Sequence, residues 1–173
     1  DRTRPEKKKA YKAPIHEMYD RILEIGVNEH GMMYNSVDLK TGKPVDDRIS
    51  DGWGYIYDGF YTVYLVDGTQ RYRHAVRKAL SNVNEHYRDY TWEGAKRENQ
   101  PHGSADGYAD SIEGAINLYN REPIPSTAKW IDSQILNMFS IQKPDGIIEG
   151  WHGDGNFART SIMYALWKSQ GTT

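Results

Sequence analysis

The stretch Asp51-Gly52-Trp53-Gly54-Tyr55-Ile56-Tyr57-Asp58-Gly59-Phe60 opens with an Asp-Gly pair, continues as an aromatic-rich amphipathic segment and reaches Tyr64 thirteen residues after the Asp. The same order returns twice. Asp106-Gly107 leads to Tyr119 and Asp154-Gly155 leads to Trp167, at offsets of 55 and then 48 residues. A period of about fifty is the length of one helical hairpin. Units of that size stack so that each covers its neighbour's apolar face while their loops gather on one rim. The spacing therefore predicts a helical repeat with its function at that rim.

Working outward, helix and loop alternate with no run of β-branched alternation, which predicts an all-α fold of antiparallel hairpins. The first helix is expected to start at Pro14, a good first-turn residue, with Ile15, Met18, Tyr19, Ile22, Leu23 and Ile25 as its apolar stripe and an end near Gly31. Residues 1–13 are then disordered or extended. A long loop over 32–50 carries a turn signal, Lys40-Thr41-Gly42-Lys43-Pro44, and the charged group Asp46-Asp47-Arg48. A second helix falls within 53–66 and is ended by Asp67-Gly68, and Thr69 caps a third that runs to about Tyr90. The fourth spans about 105–119, the fifth follows a Ser126 cap after Pro123 and Pro125, and the sixth covers about 156–169.

Helices two, four and six are low in charge and open with Asp-Gly, whereas the third carries Arg71, Arg73, Arg77, Lys78 and Arg88. Inner and outer helices are thus expected to alternate within one repeat domain, residues 14–173. Three inner helices do not close a barrel. The chain reads as a piece of a larger helical ring, whose exposed inner edges are covered by the rest of that ring or by another protein surface.

Composition narrows the partners. A length of 173 residues suffices for one core. A net charge of −2 and a pI near 6.3 give no long-range field to draw nucleic acid or an anionic membrane, so the ligand is expected to be neutral or locally recognised. There is no cysteine, which excludes disulfides and thiolate metal sites and leaves the compartment open. No apolar run approaches the roughly eighteen residues of a membrane span. Thirteen Tyr and five Trp against three Phe stand out. Such rings offer a flat apolar face with a polar handle, which suits a sugar, although packing between helices uses the same residues.

The three helix entrances, residues 51–60, 103–114 and 150–159, resemble those of the six-hairpin glycosidase-like (α/α)6 toroid superfamily. The likeness covers about residues 14–171 and rests on repeat length, layer alternation and acid-plus-aromatic loops. It implies a carbohydrate-active protein with acids and aromatics at one end of the ring: a glycoside hydrolase, an unsaturated uronyl hydrolase or, on related toroids, a polysaccharide lyase. No full catalytic signature of one family is present, so substrate and reaction are not carried across.

Glycoside hydrolysis needs two carboxyl groups, one protonated as general acid and one ionised as base or nucleophile. Asp51, Asp106 and Asp154 each have a competing role as caps of exposed helix N–H groups. Asp110 and Glu113 differ, because their i,i+3 spacing places two acids on one face of an inner helix, a repulsion that a cation, a shared proton or a ligand must offset. They are the first candidates for catalytic carboxylates, against a salt-bridge role with Arg159 or Arg48. The loop Glu149-Gly150-Trp151-His152-Gly153-Asp154 comes next, with His152 and Asp154 as catalytic candidates and Trp151 as a stacking platform. Trp53, Tyr57, Tyr108, Trp151 and Arg159 are expected to bind an oligosaccharide or polysaccharide. For a lyase, Tyr55, Tyr57, Tyr108, His152, Asn156 and Arg159 provide base, acid and carboxylate clamp. The six His are dispersed without a zinc-ligand pattern, so neither a transition-metal site nor a cofactor is expected, and Asp46 with Asp47 offers at most a calcium site. Hydrolysis is favoured over elimination because acids outnumber cationic clamps.

Overall fold

The computed structural model describes residues 5–90, 106–140, 142–148 and 151–170, with side chains from residues 10, 107 and 154 onward in the helices that open at Pro5, Asp106 and Trp151. The described residues form six helices, α1 (Pro5–Ile25), α2 (Trp53–Asp67), α3 (Gln70–Tyr87), α4 (Asp106–Arg121), α5 (Pro125–Ser140) and α6 (Trp151–Gln170), and one antiparallel pair of strands, β1 (Tyr34–Val37) and β2 (Pro44–Ile49). No helix among them is long and apolar enough to cross a membrane.

The helices lie in two layers. α2, α4 and α6 sit side by side and α3 packs beside α5 behind them. The first three run parallel. Gly54 meets Gly114, and two turns later the Tyr61 hydroxyl meets Arg121 and Glu122; Glu113 meets Thr160, and further along the Tyr119 ring packs edge-on against Trp167 at 5.2 Å. α3 and α5 are likewise parallel. Thr127 donates to the Leu80 carbonyl at 2.8 Å, the Trp130 indole to Tyr87 at 3.1 Å and Gln134 to Arg88 at 2.6 Å. The last two bonds supply partners for carbonyls at the end of α3 that have none within the helix.

Local chemistry sets the boundaries. Gly68 takes a φ of 77°, which a side chain would resist, and its N–H closes α2 on the Tyr64 carbonyl. Asp67 then accepts both the N–H and the hydroxyl of Thr69, so the aspartate caps the turn into α3 and the Thr69 side chain makes no cap bond of its own. In α3 the buried Tyr72, Val76, Ala79, Leu80, Val83 and Tyr87 follow helical spacing along one stripe. Between the layers Trp53 and Trp130 meet edge to face at 6.2 Å. Tyr19 of α1 stacks on Phe60 at 4.2 Å, and Arg71 holds Asp20 through two bonds of 2.6 Å. A fully buried ring of this kind contributes roughly 2–3 kcal/mol.

Several expectations are corrected. The fold is helical with a small sheet rather than all-α. The loop over 32–50 contains a hairpin, whose turn is built by Asp38 accepting the N–H groups of Lys40 and Thr41, with Gly42 at φ 69°. α1 starts at Pro5, passes through Pro14 and stops at Ile25; the helix-favouring run Glu6-Lys7-Lys8-Lys9-Ala10 outweighs the N–H that Pro14 lacks, so residues 5–13 are not extended. Met18, assigned to its apolar stripe, is exposed. α5 opens at Pro125, a residue suited to the first helical position, and the Ser126 hydroxyl bonds to the Leu80 carbonyl instead of capping. α6 opens at Trp151, so Asp154-Gly155 lies inside the helix while Asp51-Gly52 precedes α2.

The glycine contact of α2 with α4 leaves no room for a side chain. A Cβ on Gly54 would stand 2.5 Å from the Gly114 Cα, and one on Gly114 would stand 2.8 Å from the Gly54 Cα. Gly114→Ala is expected to lower stability by about 2–3 kcal/mol in urea titrations. Gly155→Ala, where a Cβ meets nothing within 4 Å, should raise it by up to about 1 kcal/mol. Equal effects at the two positions would refute the contact.

At the other end of α4, buried Glu122 accepts from Arg73 at 2.8 Å, from Arg77 and from Tyr61. The Arg73 hydrogen bond, working against partial burial, holds the Glu122 carboxyl below its ordinary value of 4.5. A depressed carboxyl stabilises the fold above its unfolded pKa and loses that contribution as pH falls. Urea midpoints should therefore be level from pH 7 to about 5 and drop below about 4.5, with a shallower acid limb in Glu122→Gln.

Candidate functional site

The site is built around one carboxylate. Glu113 lies in the middle of α4, only 3% exposed, between α2 and α6. Its Oε1 accepts from Arg159 Nε at 2.8 Å and from the Thr160 hydroxyl at 2.8 Å, both on α6, and its Oε2 accepts from the Tyr55 hydroxyl of α2 at 3.0 Å. The Thr160 hydroxyl also lies 3.0 Å from the Asn156 carbonyl one turn back. Three donors around one buried carboxylate satisfy it and fix where each donor stands.

What reaches the surface differs from what is buried. The Arg159 side chain is 53% exposed, and its Nη2 lies 3.5 Å from Asp110 Oδ1, a loose contact. The Asp110 side chain is 34% exposed and sits one turn before Glu113 on the same face of α4. Tyr55 is 42% exposed. Burial, then the neighbouring Glu113 charge, pushes its phenol up, so it stays protonated as a donor. The Glu113 hydrogen bond likewise raises the Arg159 guanidinium. Asp51 is half-buried, and its backbone carbonyl accepts from the Ser111 hydroxyl at 3.2 Å.

Three expected site residues, Asp110, Glu113 and Arg159, are thus brought together. Three others are not. Trp53 and Tyr57 are wholly enclosed in the core and Tyr108 nearly so. The Tyr57 hydroxyl donates to the Gly31 carbonyl and Tyr108 to the Gln134 carbonyl, so their polar ends are engaged inside the fold. The Trp53 indole N–H is buried without a partner, which marks a ring chosen for packing volume. Asp154 belongs to the first turn of α6, where its Oδ1 accepts the Ile148 N–H at 2.9 Å. The side chains of Asp106, Trp151 and His152 lie outside the described residues.

Thr160 is the member that sequence reasoning missed. Its signal was weak, because a threonine inside a helix usually bonds back to the carbonyl four residues earlier, as this one also does. Asp46, considered for calcium, is engaged by Arg48 and Asn35, and no group of three or more potential ligands among the described residues could hold a metal ion. Comparison with protein-family models, curated proteins and solved structures finds no match, which leaves the functional reading to the geometry.

Glu113→Ala would strip the countercharge from Arg159 and leave Tyr55 and Thr160 with one partner fewer. A loss of about 2–4 kcal/mol is expected by urea denaturation. Asp110→Ala, removing a group whose side chain is partly exposed, should change stability by less than about 1 kcal/mol.

Proposed function

We propose that the chain is part of a carbohydrate-active (α/α) toroid that acts as a glycoside hydrolase on an oligosaccharide or polysaccharide. One observation carries this reading: a buried carboxylate, Glu113, gathers Tyr55, Asp110 and Arg159 from three parallel inner helices onto one surface. The two-layer alternation of helices supports placement in a ring whose remainder would cover the free inner edges.

In this reading Asp110 is the acid–base carboxyl, since it lies at the surface and its neighbour Glu113 is saturated. Asp51 is the second carboxyl of the pair that hydrolysis requires. Arg159 and the ring of Tyr55 orient sugar hydroxyls and the apolar sugar face. Glu113 positions them without touching the ligand. Tyr55 itself suits a lyase base poorly, because such a base must lose its proton near neutrality and burial pushes this phenol the other way.

The test is turnover of neutral and acidic polysaccharides, read as new reducing ends, combined with calorimetric binding of their oligosaccharides. Asp110→Asn is expected to lower kcat by about 10²–10⁴-fold while keeping Kd within about threefold. Binding without turnover in the unmodified protein would leave a non-catalytic glycan-binding module, and no binding at all would end the carbohydrate reading.

A further inference from the structure

We infer that the cleft between α1 and the end of α2 binds a single-chain aliphatic carboxylate, with its tail among Ile15, Val63 and Val66 and its head at Lys12. The inference is independent of the carbohydrate reading, because this cleft adjoins the last turns of α2 whereas Tyr55 stands in the first.

The cleft follows from how α1 is fastened. Tyr19 stacks on Phe60 and lies against Gly59, where a Cβ would stand 2.5 Å from its hydroxyl. Further along, His16 Nε2 and Lys12 Nζ reach Asp67 Oδ2 at 2.7 and 3.4 Å. Beside these fastenings Tyr11, Ile15, Val63 and Val66 line a half-open cavity of about 270 Å³, whose walls are mostly apolar atoms. That is close to the roughly 300 Å³ at which small-molecule sites begin. Val66 and Tyr11 are exposed, so the mouth carries apolar surface that an alkyl chain would remove from water.

The polar rim sets the head group. The Asp67 side chain is 9% exposed; one oxygen accepts the N–H and hydroxyl of Thr69 and the other faces His16 and Lys12, which fills its acceptor sites and leaves none for a ligand cation. His16 has both ring nitrogens engaged, Nε2 with Asp67 and Nδ1 with Arg71 at 3.2 Å. Lys12 differs. Its side chain is 56% exposed, and an ammonium that faces Asp67 with one N–H keeps others for an anion on the solvent side. The surrounding sequence has the same sign, because the first twelve residues hold six cations, Arg2, Arg4, Lys7, Lys8, Lys9 and Lys12, against Asp1 and Glu6. A carboxylate head is attracted there and an ammonium repelled.

The experiment titrates octanoate, octan-1-ol, octyltrimethylammonium and hexanoate into the full chain by calorimetry, and follows backbone amide shifts with octanoate. Octanoate is expected to bind one-to-one, about fivefold more tightly than octan-1-ol and roughly tenfold or more above the ammonium. Hexanoate, two methylenes shorter, should bind about tenfold more weakly. The largest amide shifts should fall within residues 11–16 and 62–67. Val66→Trp, which fills the cleft, should weaken octanoate by about tenfold or more. Lys12→Gln should abolish the advantage of octanoate over octan-1-ol while leaving the alcohol unchanged, a split that loss of folding would not give. Absence of octanoate binding, or shifts centred elsewhere, overturns the inference. Octan-1-ol or the ammonium bound as tightly as octanoate overturns it too, because Lys12 would then not read the head group.

Discussion

The contact of Gly54 with Gly114 is the constraint on which the packing of α2, α4 and α6 depends. Two helices carrying side chains at their crossing stand 8–10 Å apart. Here each glycine faces the other's backbone, so α2 and α4 come closer than that range allows for substituted positions. The residues beside the glycines, Tyr55 and Glu113, are thereby brought within hydrogen-bonding distance. Glu113 then draws Arg159 and Thr160 from the far side, and α6 is fixed to α4 by the same carboxylate. A glycine pair thus sets a backbone distance, the distance sets a polar cluster, and the cluster joins three helices.

How much of this was legible in the residues depends on which physical signal each part emits. α3 shows itself because its buried residues follow helical spacing against a charged opposite face, and Asp67-Gly68 marks the turn before it through a φ that only glycine adopts easily. The hairpin emits no such signal. β1 and β2 are mostly exposed and their register is broken by irregularities, so there is no apolar alternation to read; turn chemistry at Asp38 and the burial of Met33 and Ile49 at its base hold it together. The acid pair on α4 was legible because two like charges at i,i+3 demand a partner, and Arg159 is that partner. The aromatic residues were not, because composition does not separate a ring facing the core from one facing a ligand. Tyr55 and Tyr57, two residues apart, point about 160° away from each other around the helix. One became part of the site and the other part of the core.

The two buried glutamates on either side of α4's last turns show why one end of this helix reads as a working surface and the other as a fastening. They are nine residues apart, about 13 Å along a helical rise. Glu122 takes two arginines from α3 and a tyrosine from α2, so its negative charge is more than balanced and it ties the two layers together. Glu113 takes a single arginine from α6, whose guanidinium also lies 3.5 Å from the partly exposed Asp110 one turn earlier on α4. An over-balanced buried ion stabilises a fold and asks for nothing further. The cluster around Glu113 instead reaches the surface through Asp110, Arg159 and Tyr55, so its polar groups are partly exposed where those of Glu122 are enclosed.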